Sequence, residues 1–284
     1  MTPTLSIRRA SDGYDLHYRH WRPAGVPKGY FLWLHGIQSH SGWYESSCEQ
    51  LATAGYDVRF PDRRGSGLNA APRGHAPHWE RLTSDVRHFL NDIHADQATE
   101  SPTAPVFLCG ISWGAKVATA IAAQTPGAID ALILVTPGLF PKIGPNAWDR
   151  ARLALARALD IRDRQIPIPL NDPALFTSVP EQQQRIANDP LALHEVTLPF
   201  LFAGQDLDRI ARTTHALQMP LRLLLAEQDQ IIDNEETLQH LHHICGSNLS
   251  VKTYPKVRHT LELETCREAY VADLVTWADG FVSR

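Results

Sequence analysis

The segment PVFLCGISWGAKVATAIAAQ, residues 105–124, joins an apolar run, a glycine-flanked motif and an alanine-rich stretch. The run PVFLC predicts a buried strand, and residues 116–124 predict a helix. Between them, GISWG at residues 110–114 matches the pattern Gly-x-Ser-x-Gly. On a sharp strand-to-helix turn this pattern projects its serine, here Ser112, as a nucleophile, and the small neighbours let strand and helix approach closely. A helix-capping serine is the alternative interpretation.

Strand-like and helix-like segments alternate on both sides of this motif. Apolar runs predict further strands at residues 14–21, 30–35, 57–60, 131–135, 221–226 and 249–254. Helical periodicity separates many of them, as in residues 79–96, where apolar side chains share one face. Such alternation is typical of a mostly parallel sheet with helices on both faces, whose sites lie at the carboxyl ends of the strands.

Residues 140–219 interrupt this alternation. Prolines break the block into short pieces, and no strand-like run of comparable quality is evident. Its helices are amphipathic, with Trp148, Leu155 and Leu159 on one stripe. We expect a helical cap at 140–219, inserted into a core formed by residues 1–139 and 220–284. Ordinary crossover helices are the alternative, although about eighty residues is long for such a connection.

Composition and charge narrow the function classes. The 284 residues include 43% hydrophobic and 20% charged residues, with a formal net charge of -4, which is ordinary for a globular enzyme. The sequence has no Lys/Arg-rich run of the kind that would indicate a nucleic-acid partner. No stretch reaches the roughly 18 apolar residues that a membrane-spanning helix needs. We therefore expect a small-molecule partner rather than a nucleic acid.

Cysteine and histidine usage gives no sign of a disulfide frame or a metal centre. The four cysteines have no CxxC spacing, and the N-terminus lacks the apolar segment of a secretory signal, so we expect free thiols and a cytoplasmic location. His240, His242 and His243 share one predicted helix without a further ligand, which favours a solvated helix face over a metal site. No metal or organic cofactor is expected.

A serine nucleophile needs a base, and the base needs an acid to orient it. On a nucleophile turn of this kind the partners follow in the order serine, acid, histidine. His259, after the last predicted strand, is the expected base, and Asp229, after the strand LRLLLA, is the expected acid. Glu227 and Asp233 remain alternatives for the acid, although Asp233 precedes a helix and suits its N-cap.

Two backbone amides are expected to stabilise the oxyanion that forms during attack by Ser112. One is the amide of Trp113, directly after the nucleophile. The other is the amide of Ile37, because Gly36 permits a sharp turn after the strand YFLWLH. His35-Gly36 taken alone also fits a simple strand-ending turn.

The segment HGIQSHSGWYESSCEQLATAGYDVRFPDRRGSGLN, residues 35–69, resembles the monoacylglycerol lipase and lysophospholipase branch of the α/β-hydrolases. It matches an HG-x-x-x-HS-x-x-Y stretch followed by a D-x-R-G-x-G loop. The matching positions are His40, Ser41, Tyr44, Asp62, Arg64, Gly65 and Gly67. Two Asn-Asp-Pro triplets, at 171–173 and 188–190, and the segment VRHTLELE also look like this branch, so the likeness spans nearly the whole chain.

The resemblance implies the α/β-hydrolase fold, a Ser112–Asp229–His259 triad and a carboxylic ester substrate with a fatty acyl chain under the cap, such as a monoacylglycerol or a lysophospholipid. It also allows transient contact between the cap and a membrane surface, and it leaves the oligomeric state open. Thioester or peptide hydrolysis and acyl transfer on the same triad are alternatives. A non-catalytic binding protein on a hydrolase scaffold is the rival from another class.

Departures from the branch concern the substrate pocket. The usual His and Met on either side of the nucleophile are replaced by Ile111 and Trp113, and the indole is expected to reshape the acyl pocket. A Glu that is common after HG-x is replaced by Gln38. The candidate substrate-binding residues are Gly36, Gln38, Phe200 and Phe202. The last two belong to the cap run LPFLF, which equally fits an anchor between cap and core.

Overall fold

The computed structural model describes residues 2–69, 71–144 and 147–282. In these ranges the chain forms ten β-strands and eight α-helices. The strands are β1 (Thr4–Arg9), β2 (Asp15–Trp21), β3 (Tyr30–Leu34), β4 (Asp57–Pro61), β5 (Val106–Ile111), β6 (Ala131–Val135), β7 (Gln165–Pro167), β8 (Glu195–Thr197), β9 (Leu221–Ala226) and β10 (Leu249–Tyr254). The helices are α1 (Glu45–Thr53), α2 (Trp79–Glu100), α3 (Gly114–Gln124), α4 (Ala147–Ala158), α5 (Pro180–Ala187), α6 (Leu198–Thr213), α7 (Asn234–Cys245) and α8 (Arg267–Val282).

Eight of the strands form one sheet in the order β1-β2-β4-β3-β5-β6-β9-β10. From β4 to β10 the neighbouring strands are parallel, whereas β2 is antiparallel to both β1 and β4. The central strands β3 to β6 are buried along their whole length, as expected for parallel strands covered on both faces. The predicted mostly parallel α/β architecture is confirmed.

Helices lie on both faces of this sheet, and β5 demonstrates it. The ring of Phe107 lies 6.1 Å from that of Trp277 on α8. A Cβ on Gly110 would instead meet Ala115 and Ala118 on α3. Residues three apart on a strand point to opposite faces, so α8 and α3 cover opposite sides. Helix α1 packs against α8, and α2 packs against α3, which places a helix pair on each face.

Two features differ from the sequence-based expectations. The hydrophobic pattern does not predict β1, because this edge strand is exposed or half-buried at every position. In the block 140–219, β7 and β8 form a short antiparallel pair beside the helices, so the block is not purely helical. Strands of three residues are too short for a periodicity to be recognised. The division into core and cap at 139/140 and 219/220 stays a prediction.

The parallel strands bring several loops to one edge of the sheet. Since β3, β5, β6, β9 and β10 run in the same direction, their carboxyl ends share that edge. The loops that follow them carry Gly36, Ser112, Thr136, Asp229 and His259. Among the described residues, no helix is both long enough and apolar enough to span a membrane.

Candidate active site

Ser112 lies on the turn between β5 and α3, with a left-handed backbone at φ 49°. A Cβ on Gly110 would lie 2.6 Å from the Cα of Ala115, and one on Gly114 would lie 2.3 Å from the carbonyl oxygen of Leu34. Side-chain carbons do not approach backbone atoms so closely, so both positions require glycine. The turn therefore has the geometry of a nucleophile elbow, and it holds Ser112 at the amino-terminal end of α3.

Ser112, His259 and Asp229 form one hydrogen-bonded chain. His259 Nε2 lies 2.8 Å from Ser112 Oγ, and His259 Nδ1 lies 2.7 Å from Asp229 Oδ2. The other carboxylate oxygen, Oδ1, accepts hydrogen bonds from the amides of Ile231 and Ile232 at 2.8 and 3.1 Å. An ionised carboxylate only accepts, so Nδ1 carries the proton and Nε2 is free to accept the serine proton. Asp229 and His259 are buried, whereas Ser112 is partly accessible.

The two alternative acids lie elsewhere. Asp233 is the N-cap of α7 and accepts hydrogen bonds from the amides of Glu235 and Glu236 at 2.9 and 3.0 Å. Glu227 is exposed, and its carboxylate accepts a hydrogen bond from the amide of Lys256. Of the three candidate acids, the structure brings Asp229 to the histidine.

The loop after β6 supports both ends of the triad, which no motif in the sequence predicts. Thr136 has a left-handed backbone at φ 40°, and its Oγ1 donates to the carbonyl oxygen of His259 at 2.9 Å. The amide of Gly138 donates to the carbonyl oxygen of Ser112 at 2.8 Å, and a Cβ there would lie 3.1 Å from the Ser112 carbonyl carbon. A threonine keeps a positive φ only where its surroundings impose it. The strain at Thr136 is therefore maintained by the contacts that hold the base.

The loop that carries His259 is hydrogen-bonded to residues 176–178, within the block 140–219 that is predicted to form the cap. The amide of Thr260 donates to the carbonyl oxygen of Phe176 at 2.8 Å. Both the amide and the hydroxyl of Ser178 donate to the carboxylate of Glu264, at 2.6 and 2.7 Å. The position of the histidine therefore depends on the cap as well as on the sheet.

The residues predicted to supply the oxyanion hole border the nucleophile. Trp113 follows Ser112 directly and precedes α3. A Cβ on Gly36 would lie 3.3 Å from Ser112 Cβ and 3.6 Å from its Oγ, so the loop after β3 packs against the serine. Ile37, next in that loop, is partly accessible, whereas the residues on both sides of it are buried. Ser112 and Ile37 are therefore the positions at which this part of the site is open to solvent.

His35 supports the same loop in a defined tautomer. Its Nε2 accepts a hydrogen bond from the amide of Arg63 at 2.8 Å, so its Nδ1 carries the proton and donates to the carbonyl oxygen of Gly36 at 2.8 Å. Burial, aided by the nearby Arg63 cation, holds the pKa of His35 well below its ordinary value. The ring is neutral at physiological pH, and its two hydrogen bonds connect the loop after β3 to the backbone of Arg63.

The remaining predicted binding residues have different surroundings. Gln38 is buried, and its backbone carbonyl oxygen accepts a hydrogen bond from the backbone amide of Leu193 at 2.9 Å. Phe200 is buried and stacks on Trp113, with ring centroids 4.7 Å apart and planes 21° apart. It therefore anchors α6 of the cap directly beside the nucleophile.

Phe202 lies on another side of α6 from Phe200, and its role in substrate binding stays a prediction. Residues two apart on a helix are separated by roughly 200°, so Phe200 and Phe202 point to different sides of α6. The ring of Phe202 lies under the guanidinium of Arg157, 5.5 Å from its Cζ, in a surface cleft whose lining includes neither Ser112 nor Phe200.

The histidines of α7 have no ligand set around them. Among the residues that the structure describes, no group of three or more His, Cys, Asp or Glu side chains could hold a metal ion. His242 and His243 are exposed, as predicted for a solvated face. His240 is instead half-buried, and its Nε2 donates to the carbonyl oxygen of Ala211 at 3.1 Å.

A buried carboxyl group lies behind the His259 loop. Glu262 is 3% exposed, and its carboxylate accepts hydrogen bonds from the amide and hydroxyl of Ser47. Burial raises the pKa of Glu262 from 4.5 to about 7, although the bonds from Ser47 oppose the shift. The folded protein therefore holds this proton to a higher pH than the unfolded chain does.

This carboxyl group predicts a pH-dependent effect of Glu262→Gln. As pH rises from about 4.5 through 7, ionisation of Glu262 lowers the free energy of unfolding of the wild type by on the order of 3 kcal/mol. The uncharged variant avoids this loss and keeps an oxygen to accept from Ser47, so we expect it to be more stable at pH 8 and similar at pH 4. Urea unfolding at both pH values measures the difference. Glu268→Gln, which removes an exposed carboxylate, is the control, and an equal effect of both variants would contradict the prediction.

Comparison with known proteins agrees with this geometry. The family model described as serine aminopeptidase, S33 (Hydrolase_4) matches residues 25–266, a range that includes the elbow and all three triad positions. The chain belongs to this family. As a Hydrolase_4 protein it is a hydrolase of the α/β-hydrolase fold, and the predicted fold and resemblance are confirmed.

Monoglyceride lipases are similar to this Hydrolase_4 chain over most of its length. The monoglyceride lipase of Homo sapiens is 26% identical over 260 residues, covering 89% of this chain and 82% of the relative. The monoacylglycerol lipase of Mycolicibacterium smegmatis is 25% identical over 274 residues, covering 93% of each. Among solved structures, a soluble variant of monoglyceride lipase from Saccharomyces cerevisiae, in complex with a substrate analog, superposes with a TM-score of 0.85 at 19% identity, covering 99% of this chain and 96% of that one.

Proposed function

We propose that this protein is a serine hydrolase that cleaves a carboxylic ester of the monoacylglycerol or lysophospholipid type through an acyl-enzyme on Ser112. The observation that carries the proposal is the hydrogen-bonded chain from Ser112 through His259 to Asp229, beside a glycine-flanked elbow. The similarity to monoglyceride lipases supports an ester with a fatty acyl chain as the substrate.

The proposed reaction follows from the directions of these hydrogen bonds. His259 Nε2 removes the proton of Ser112 as Oγ attacks the ester carbonyl carbon, and Asp229 stabilises the imidazolium that forms. The amides of Ile37 and Trp113 donate to the oxyanion of the tetrahedral intermediate. The imidazolium returns its proton to the leaving alcohol. Water, deprotonated by His259, then attacks the acyl-enzyme, releases the carboxylic acid and regenerates Ser112.

A cleft in the cap suits the acyl chain. It has a volume of about 580 Å³ and is lined mainly by aliphatic side chains, which are Leu153, Leu155, Ala156, Leu159, Ile161, Ile166, Leu198 and Leu201. Leu198 and Leu201 lie on α6, the helix whose Phe200 stacks on Trp113, although Ser112, Trp113 and Phe200 are not part of the cleft's lining. Each methylene buried in such a cleft is worth about 0.8 kcal/mol. The proposed substrate therefore carries a long acyl chain.

The open rim of this cleft, together with Trp148, supports transient contact with a lipid surface. Trp148, Leu155 and Leu159 are 72%, 60% and 63% exposed, and the same segment carries Arg152 and Arg157. Exposed apolar side chains beside cations favour an interfacial position at the edge of an anionic membrane. A cytoplasmic location is part of the proposal, and the four unpaired cysteines support a reducing compartment.

A substrate panel tests the proposed ester class. We expect kcat/KM to rise with acyl length from butyryl to dodecanoyl p-nitrophenyl esters, because each further buried methylene contributes about 0.8 kcal/mol. We also expect monooleoylglycerol or lysophosphatidylcholine to be hydrolysed faster than oleoyl-CoA, which carries the same acyl chain on a thioester. Monooleoylglycerol presented in anionic vesicles should be hydrolysed faster than the same ester in neutral detergent if the cap contacts membranes. A flat profile across acyl lengths would contradict the acyl-chain assignment.

Peptide hydrolysis is the second candidate, because the matching family is described as a serine aminopeptidase. The panel therefore includes aminoacyl and dipeptidyl p-nitroanilides, and a preference for these over esters would replace the proposed substrate class. A fluorophosphonate probe that fails to label Ser112 would favour a non-catalytic protein instead.

A further inference from the structure

Arg63 lies behind the loop that carries Ile37. Its Nη1 donates to the carbonyl oxygen of Gly36 at 2.9 Å, and its Nη2 donates to the carbonyl oxygen of Ile37 at 2.9 Å and to Ser66 Oγ at 2.7 Å. One guanidinium thus bridges two consecutive carbonyl groups of the loop. Arg63 occupies the variable second position of the D-x-R-G-x-G pattern, so the motif itself assigns it no role.

The bond to the Gly36 carbonyl acts on the Ile37 amide, because both groups belong to one peptide unit. In a trans peptide the C=O and N–H point in opposite directions, so a donor that fixes the oxygen also fixes the direction of the N–H. His35 Nδ1 donates to the same oxygen at 2.8 Å, which leaves the peptide little freedom to rotate. A cationic donor also polarises the peptide and makes its N–H a stronger donor.

Arg63 also contacts the residue that carries the second amide. Its Cζ lies 4.8 Å from the ring centroid of Trp113 and 5.0 Å from that of Phe200. Burial lowers the pKa of Arg63 to about 9, while the neighbouring Asp62 opposes the shift, so the side chain remains a cation at neutral pH. Three hydrogen bonds and two aromatic rings therefore hold a half-buried positive charge against both halves of the predicted oxyanion hole.

We propose that Arg63 is a positioning residue for the oxyanion hole, which orients and polarises the peptide whose Ile37 amide receives the developing negative charge. This inference rests on the proposed function and deepens it. The hydrogen bond from the Ile37 amide strengthens as negative charge develops on the carbonyl oxygen of the substrate. Loss of Arg63 should therefore lower kcat while KM changes little. Replacement of a residue that only supports the fold would instead lower the fraction of protein molecules with an active site, and kcat per active site would stay the same.

The test compares Arg63→Met and Arg63→Lys with the wild type on p-nitrophenyl butyrate, with active sites counted by fluorophosphonate labelling. We expect kcat per labelled site to fall by about 30-fold in Arg63→Met and about tenfold in Arg63→Lys, which keeps the charge but lacks the planar fork that reaches both carbonyls, with KM within threefold. Arg87→Met removes a guanidinium on α2 that donates to Gln124 at 3.0 Å, away from the site, so it is the matched control and should stay within twofold.

A second readout separates positioning from general damage. A trifluoromethyl ketone forms an adduct with the serine that carries an oxyanion, so its affinity should weaken in parallel with kcat/KM, while the affinity for butyramide, an uncharged analogue of the ground state, should change little. Equal kcat and ketone affinity in all variants would overturn the proposal, as would a parallel loss of ketone and butyramide affinity. If Arg63→Met does not fold, Arg63→Lys carries the comparison.

Failure of the proposed function gives a different result. A wild type that hydrolyses no ester in the panel would remove the ester assignment. The ketone comparison between wild type and Arg63→Lys would still decide whether Arg63 prepares the site for an oxyanion.

Discussion

Replacement of Ser112 by alanine is expected to lower kcat for p-nitrophenyl butyrate by at least ~10⁴-fold, because triad members act as a unit and loss of the nucleophile leaves only the oxyanion hole and binding. Ser112 Oγ is the atom that faces His259 Nε2 at 2.8 Å, and alanine deletes that atom alone. The variant should also fail to react with a fluorophosphonate probe. Steady-state turnover and intact-mass analysis after labelling measure both effects.

The control for this variant is Ser46→Ala, which removes the hydroxyl of a partly accessible serine on α1. It should retain turnover and labelling within twofold of the wild type. Thermal melts of both variants establish that the comparison concerns folded protein. Undiminished turnover by Ser112→Ala would refute the assignment of the nucleophile, whatever the behaviour of the control.

Replacement of Asp229 by asparagine is expected to lower kcat by roughly 10³ to 10⁴-fold through a change of tautomer at His259. The amides of Ile231 and Ile232 both donate to Oδ1, so the asparagine oxygen must occupy that position and its NH₂ group must face His259 Nδ1. The imidazole then accepts at Nδ1 and carries its proton on Nε2, where it cannot accept the proton of Ser112. Steady-state kinetics on the same ester gives the decrease.

The control is Asp233→Asn, at the alternative acid. Asparagine caps a helix as well as aspartate does, so α7 should be retained and kcat should remain within twofold of the wild type. Should Asp233→Asn abolish turnover while Asp229→Asn does not, the acid has been misassigned.

The elbow and the triad could be predicted because each residue is marked by its position along the chain. Ser112 stands between a buried strand and a helix, and two flanking glycines are needed where a Cβ would strike α3 or the carbonyl of Leu34. Asp229 and His259 follow parallel strands, and the sheet brings such loops to one edge. These are local patterns joined by one topological rule.

Arg63 and Thr136 could not be predicted, because their roles depend on packing between distant segments. Arg63 has no special spacing in its loop, and its importance arises only when the loop after β3 and the ring of Trp113 close around it. Thr136 follows β6 without a motif, and only the folded chain places its hydroxyl on the carbonyl of His259.

The cap was harder to predict than the core for a related reason. The apolar run LPFLF predicts burial but not direction, and helical geometry separates Phe200, which stacks on Trp113, from Phe202, which lies against Arg157. The pair β7 and β8 is stabilised by contacts across thirty residues of sequence rather than by its own periodicity. The sequence pattern therefore does not predict the direction of these side chains or the pairing of two short strands that are distant in sequence.

The hydrogen bonds that Phe176 and Ser178 make to Thr260 and Glu264 mean that the cap is not an interchangeable module. Replacement of residues 140–219 by the lid of another protein would change substrate choice. It would also remove the hydrogen bonds that hold the backbone around His259 in position. A redesign that seeks new substrates in this scaffold should therefore vary α4 and its surroundings and transplant nothing that displaces Phe176–Ser178.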